Sequence, residues 1–244
     1  MSRLNLDSAE NLAVRMRQDL QISLSEPVNA KTVLRVLGII TLYRPLSDSL
    51  YGLSVKSSDN RYRFMLVNSN TTRGRQHFTI AHELYHLYYD ADPHPHFCQD
   101  GNLDESERAA NMFARAFLMP KAGILKSIPA AELLSGNMSL TTILKLEALY
   151  GVSHMAMLIR LKELRLITNA VFDQYQSISV TKEAALRGLD TNLYKSGNEG
   201  MVLGDFGAKA RELFEMDLVS EGHYVELLNK IGYGSGEGED CAGC

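Results

Sequence analysis

The pentad His82-Glu83-Leu84-Tyr85-His86 constrains this chain more than any other feature of its sequence. Residues four apart lie on one face of an α-helix, one turn apart, so a helix would bring both histidines to one metal ion. Imidazole nitrogens bind Zn²⁺ at about 2.0–2.1 Å. Glu83 would then project beside the ion, close enough to act on a water but poorly placed to be a ligand. Apolar residues on either side of the pentad would bury this helix, which we predict from Thr72 to about Tyr89.

A second predicted helix, residues 104–119, supplies a third ligand. A catalytic zinc site has three protein ligands and an open position. Glu107 and Asn111 share a helix face, so Glu107 can complete the site while Asn111 accepts a hydrogen bond from the outer nitrogen of a ligating histidine. Glu105 is the rival ligand, but it lies about 200° around the helix from Glu107. The pairing with Asn111 favours Glu107.

Composition narrows the class of protein. The chain has 244 residues, 45% of them hydrophobic and 22% charged, enough for one or two domains with a sizeable core. The net charge of −4 argues against a protein built mainly to coat nucleic acid. No window approaches the roughly 18 apolar residues of a membrane span, and the N-terminus lacks a signal-peptide core. With only three cysteines and no disulfide framework expected, these features predict a cytoplasmic protein.

The order of predicted elements indicates an α+β fold that is mainly helical. Three short apolar or alternating runs separated by turn-forming residues predict a small antiparallel sheet. A loop rich in proline and histidine, Asp92-Pro93-His94-Pro95-His96, follows the helix with the pentad. Predicted helices cover 7–21, 29–37, 121–127, 139–150 and 154–165, strands cover 39–43, 50–55 and 62–67, and residues 169–183 read as strand and loop before two short helices within 206–230.

Several further motifs surround the two helices. They are the run Phe64-Met65-Leu66-Val67-Asn68-Ser69-Asn70, Arg75, the run Phe78-Thr79-Ile80-Ala81-His82-Glu83-Leu84, the pattern Glu107-x-x-Ala110-Asn111-x-Phe113-Ala114, and Leu118-Met119-Pro120. Together they resemble the ImmA/IrrE family of metallopeptidases over about residues 5–168. Many relatives have Gly before the second histidine, where this chain has Tyr85, whose bulk would narrow the cleft or add a hydroxyl.

The resemblance implies a zincin-like core of the gluzincin type. It implies His82, His86 and Glu107 as zinc ligands and Glu83 as general base, with Mn²⁺ as a possible substitute in vitro. Relatives that have been studied cut helix-turn-helix repressors of the XRE type, which releases genes of mobile elements or stress responses. The implied substrate is therefore a repressor of this kind.

The resemblance also suggests a division of the chain. Residues 1–168 would form the metallopeptidase domain, including a segment at 139–168 that looks like a helix-turn-helix. Residues 169–232 would form a small C-terminal helical or mixed region of unknown role. The acidic, glycine-rich tail at 233–244 would be disordered.

Several alternatives stay open at the level of sequence. His77, Tyr85, His94 and His96 are all possible donors to an oxyanion. In addition, His94, His96 and Cys98 alternate along the chain and are able to hold a second metal, although a rigid loop is the simpler interpretation. Cys241 and Cys244 lack two further ligands for a zinc site.

Two other classes of function compete with the peptidase. The segment 139–168 would be a DNA-reading element if Arg160, Lys162 and Arg165 lay near phosphates. Alternatively, the chain would be a non-proteolytic, antitoxin-like regulator that binds a partner and keeps its metal for structure only.

Overall fold

The computed structural model describes residues 6–90, 95–99 and 104–231. Within these ranges the chain is α+β and mainly helical, with one mixed five-stranded sheet. The elements in chain order are α1 (Leu6–Asp19), α2 (Ala30–Val36), β1 (Ile40–Arg44), β2 (Leu50–Lys56), β3 (Arg63–Asn68), α3 (Arg73–Tyr89), β4 (His96–Gln99), α4 (Glu105–Leu118), α5 (Lys121–Ser127), α6 (Ala130–Ser135), α7 (Leu140–Tyr150), α8 (His154–Glu163), α9 (Asn169–Tyr175), α10 (Val180–Leu186), a 3₁₀ turn (Asn192–Tyr194), β5 (Val202–Leu203), α11 (Phe206–Glu215) and α12 (Glu221–Lys230).

The sheet has the strand order β4-β2-β3-β1-β5 and is mixed rather than purely antiparallel as expected. The three predicted strands are present, but β1 pairs parallel with β3, while the other neighbours are antiparallel. The chain between β1 and β2 therefore passes across the end of β3. Asn68, fully buried at that end, fastens the crossing: its amide donates to the carbonyls of Ser47 (3.0 Å) and Leu50 (2.7 Å), and its Oδ1 accepts from the Leu46 amide (3.1 Å).

Helix α3 lies against this sheet. It begins after Thr72, whose hydroxyl accepts a hydrogen bond from the amide of Arg75 as an N-cap. Strand β2 approaches it closely at Gly52, where a Cβ would lie 2.6 Å from Thr79 Cγ2. Glycine is therefore required at this contact, and the close approach brings the next residues of β2 to the pentad.

Helix α4 packs against α1 and α3 and brings Glu107 to the pentad. Asp104 caps its N-terminus by accepting from the Glu107 amide at 2.9 Å. Its inner face is built from alanines and from Phe113 and Phe117, whose rings stack at 5.6 Å between centroids. The small residues allow α4 and α3, the helices that carry the predicted ligands, to lie close together.

Helices α7 and α8 confirm the predicted helix–turn–helix pattern, with Ser153 as N-cap and Gly151 in the left-handed conformation (φ 63°). Arg160, proposed as a phosphate contact, is fully buried, and it donates to the carbonyl of Met119 at 3.0 Å and pairs with Glu10 at 2.7 Å. Helix α8 therefore packs into the core through this residue.

Over the described residues no single helix is both long and apolar enough to cross a membrane. Helices α7 and α8 reach that length and apolar character only when taken together, and the chain bends by 107° between them.

The C-terminal region differs from its prediction in one place. Residues 169–183, expected as strand and loop, form α9 and the start of α10. Val171, Phe172 and Tyr175 favour strands by propensity, but in a helix all three can pack against the hydrophobic core. Tertiary packing therefore overrides local preference. The two short helices expected within 206–230 are confirmed as α11 and α12, whereas the tail 233–244, with Cys241 and Cys244, lies outside the described residues.

Candidate metal centre

The three predicted ligands meet inside the protein. The Nε2 atoms of His82 and His86 lie 3.2 Å apart; Glu107 Oε2 lies 3.3 Å from the first, and Glu107 Oε1 lies 3.5 Å from the second. Tetrahedral coordination with bonds of 2.0–2.1 Å places ligand atoms about 3.3–3.4 Å apart. All three residues are at most 4% exposed. Their arrangement therefore suits one small cation. Glu105, the rival ligand, is exposed and has no place in the cluster.

The outer nitrogens of both histidines are hydrogen-bonded. His82 Nδ1 donates to Asn111 Oδ1 at 3.3 Å, the contact expected from the spacing of Asn111 and Glu107. His86 Nδ1 donates to Asp90 Oδ2 at 2.5 Å, and Ser106 Oγ donates to both oxygens of Asp90 at 2.9 Å. Such bonds fix the tautomer and direct the inner nitrogen at the metal. Burial disfavours the charge on Asp90, but the hydrogen bonds from His86 and Ser106 hold its pKa below the ordinary value.

Glu83 is fully buried beside the ligands. Its Oε2 accepts from Ser54 Oγ at 2.5 Å and lies 3.2 Å from His96 Nδ1. Its Oε1 has no hydrogen-bond partner among the residues the structure describes. A buried carboxylate oxygen rarely remains unpaired unless a water or ion belongs there. A water between Oε1 and a metal at the cluster would satisfy it, so the residues present fit a metal centre.

His96 joins the cluster, whereas the sequence predicted it only as a possible oxyanion donor or as a ligand of a separate second metal. It lies on β4, where a loop was expected, because residues 96–99 pair with β2. Its Nε2 donates to Glu107 Oε1, its ring stacks on His86 with centroids 3.5 Å apart, and its ligand atom lies within 4.8 Å of those of the other three residues. Partial burial opposes its charge, but the carboxylates of Glu107 and Glu83 raise the pKa of His96 to about 9.

The electrostatics favour a cation. Burial opposes a charge on His82, yet contacts with Cys98, Glu107 and Glu83 raise its pKa well above the ordinary value. Burial likewise opposes ionisation of Glu107, but its bonds to His82 and His96 hold its pKa far below the ordinary value. The carboxylates thus draw protons onto the imidazoles, and a divalent cation would take the place of those protons.

The other candidate oxyanion donors do not join the cluster or lie outside the described residues; Tyr85 touches it only through a T-shaped contact of its ring with His86, with centroids 5.5 Å apart. Tyr85 is 2% exposed, and its ring packs against Tyr89 and Phe113 at 5.8 Å between centroids, so it fills the core instead of narrowing the cleft. His77 hydrogen-bonds the Gly151 carbonyl at 3.0 Å, at the turn before α8. His94 is outside the described residues.

The alternating residues His94, His96 and Cys98 were considered as ligands of a second metal. Among the described residues they form no separate site. His96 belongs to the cluster above, and Cys98, which is buried, lies near His82 and Glu83. A cavity of about 180 Å³ opens beside the cluster, between His86, Asp90 and His96.

The chain also matches a known family. The model of the Peptidase M78 family, described as the IrrE N-terminal-like domain, matches residues 34–162. No curated protein matches the chain. The matched span covers more than half of the sequence and contains both ligand-bearing helices. The chain therefore belongs to the Peptidase M78 family and is a metallopeptidase.

Proposed function

We propose that the chain is a zinc-dependent endopeptidase in which His82, His86 and Glu107 hold the metal and Glu83 is the general base. The observation that carries the proposal is the pairing of a tetrahedral ligand spacing with a buried, unpartnered oxygen of Glu83 beside it. Zinc prefers this combination of imidazole and carboxylate ligands, and Mn²⁺ would support the same reaction in vitro.

Each residue of the site would have a separate role in peptide hydrolysis. A metal bound at this site would polarise the scissile carbonyl and lower the pKa of the attacking water. Glu83 Oε1 is placed to accept the proton of that water and then to deliver it to the leaving amine. Ser54 holds Oε2, so that Oε1 keeps its direction. Asn111 and Asp90 keep the two imidazoles aligned.

The proposed substrate is a regulatory protein of the cytoplasm, such as an XRE-type helix-turn-helix repressor. Its cleavage would relieve repression in a mobile-element or stress response. Support for this substrate comes from the resemblance of the motifs around the pentad to the ImmA/IrrE family. The cavity beside the cluster would hold one side chain of such a substrate.

A second candidate function rests on His96. Four ligands from the protein would close the coordination sphere, as in structural zinc sites. The chain would then be an antitoxin-like regulator that binds a partner, or DNA, without cleaving it. Of the three basic residues that would contact DNA phosphates, Lys162 and Arg165 are exposed, whereas Arg160 is buried.

Cleavage of a repressor separates the two functions. Full-length protein, loaded with zinc or manganese, is incubated with the XRE-type repressor encoded nearest to its own gene, and the products are identified by intact mass. We expect one specific cut that stops with a chelator and with Glu83→Gln, while Glu105→Gln, on the exposed face of α4, cleaves like the wild type. A stable complex without a cut, or full activity of Glu83→Gln, would refute the proposal.

A further inference from the structure

We propose that His96 is a positioning residue that joins the general base to a metal ligand from outside the coordination sphere. The inference rests on the proposed function in taking His82, His86 and Glu107 as ligands and Glu83 as base. The imidazole of His96 bridges two carboxylates: its Nδ1 lies 3.2 Å from Glu83 Oε2, and its Nε2 donates to Glu107 Oε1.

The orientation of the ring argues against His96 as a fourth ligand. An imidazole nitrogen directs its lone pair in the plane of its ring, so a ligated ion lies near that plane. The rings of His86 and His96 are stacked with centroids 3.5 Å apart and planes tilted by only 14°. Planes so nearly parallel meet on the order of 10 Å away, whereas an Nε2–zinc bond is about 2 Å long. An ion held by His86 therefore lies off the plane of His96.

The sheet register places His96 for this role. Strands β4 and β2 are antiparallel, and His96 is directly opposite Ser54. Residues opposite each other project from the same face of a sheet. Both side chains accordingly reach the same oxygen, Oε2 of Glu83, and leave Oε1 unpartnered. The next pair on this face joins Gly52 to Cys98, and the absence of a side chain at Gly52 lets α3 approach.

The hydrogen bond from His96 to Glu107 also determines which oxygen of Glu107 can bind the metal. Glu107 Oε1 lies 3.5 Å from His86 Nε2 but already accepts the bond from His96, while Oε2 lies 3.3 Å from His82 Nε2 and is available to the metal. A carboxylate held in this way is directed to bind through one oxygen. Binding through one oxygen leaves the fourth position of a tetrahedral site open, as a hydrolytic metal centre requires.

Two measurements without substrate decide the proposal. X-ray absorption at the zinc edge counts the imidazole ligands, and competition with a chelator gives the zinc affinity of the full-length chain. The variants are His96→Ala, His96→Gln, and the control Phe97→Ala, whose side chain is 51% exposed on the neighbouring position of β4.

We expect two imidazoles in the wild type and in every variant. Loss of an outer hydrogen-bond partner typically weakens metal binding or activity about 10–100-fold. We expect zinc affinity to fall about tenfold in His96→Ala and to recover in part in His96→Gln, because its amide still donates one bond. Phe97→Ala should bind zinc like the wild type.

Three imidazoles in the wild type and two in His96→Ala would overturn the proposal, since His96 would then be a ligand. Unchanged zinc affinity in both His96 variants would overturn it as well. If His96→Ala fails to fold, His96→Gln carries the same test. Failure of the proposed function shows separately, as a wild type that binds zinc through two imidazoles but cuts no repressor. Where cleavage is observed, His96→Ala should lower kcat about 10–100-fold, and His96→Gln should lower it less.

Discussion

Ser54→Ala tests how the general base is held. The hydroxyl of Ser54 donates to Glu83 Oε2 at 2.5 Å from inside the protein, where Ser54 is 1% exposed. Hydrogen bonds to charged groups contribute about 1.5–3 kcal/mol. His96 remains 3.2 Å from the same oxygen, so we take the lower end of this range. A loss of about 1.5 kcal/mol in the transition state corresponds to roughly a tenfold lower kcat.

The assay is cleavage of the repressor by zinc-loaded protein under steady-state conditions. KM should stay close to the wild-type value, because Ser54, although it lines the cavity beside the cluster, is only 1% exposed and its hydroxyl is bonded to Glu83. Ser57→Ala is the matched control: its hydroxyl, exposed in the turn after β2, bonds to Asp59 at 2.6 Å and has no contact with Glu83. A Ser54→Ala variant with full zinc content and kcat within twofold of Ser57→Ala would refute the reasoning.

Two further predictions concern stability. Asn68→Ala removes four side-chain hydrogen bonds, three to the crossing before β2 and one to the amide of Asn70. At about 0.5–1.5 kcal/mol each, they predict a loss of about 2–6 kcal/mol in the free energy of unfolding measured in urea. A loss no larger than that of Asn70→Ala, whose exposed side chain makes one bond to the Leu46 carbonyl, would contradict this prediction. Burial lowers the pKa of His154, but the bond to Glu147 at 2.6 Å and the Tyr175 carbonyl raise it on balance. This pair therefore stabilises the fold fully below about pH 6.5 and loses its effect as the pH rises through the raised pKa. Thermal unfolding at about pH 6 and pH 9 should show a larger fall in Tm for the wild type than for His154→Gln, and equal falls would count against the assignment.

The sequence predicted the ligand-bearing helices well, because each carries a periodic pattern. The four-residue spacings of His82 with His86 and of Glu107 with Asn111 are properties of single helices, so they could be read without knowing the fold. The choice of Glu107 over Glu105 followed from the same geometry, and the structure brings only Glu107 to the cluster.

The remaining parts of the site depend on contacts between elements. Ser54 and His96 meet Glu83 only because β4 pairs with β2 in one register, and a four-residue strand preceded by prolines has no clear sequence signal. Asp90 was missed, although it stands four residues after His86 on the same helix face. The parallel pairing of β1 with β3 is likewise a contact between elements, and the bonds of Asn68 to the crossing chain become visible only in the fold. The division at residue 168 and the role of the C-terminal region stay predictions.

Zinc content tests which residues bind the metal. Full-length wild type, Glu83→Gln and Glu107→Gln are purified, saturated with zinc, dialysed, and analysed for metal per chain. We expect about one zinc in the wild type and in Glu83→Gln, because Glu83 is not one of the proposed ligands, and a loss of most of the zinc from Glu107→Gln. Equal zinc in all three proteins, or loss of zinc from Glu83→Gln alone, would contradict the assignment of His82, His86 and Glu107 as the metal site.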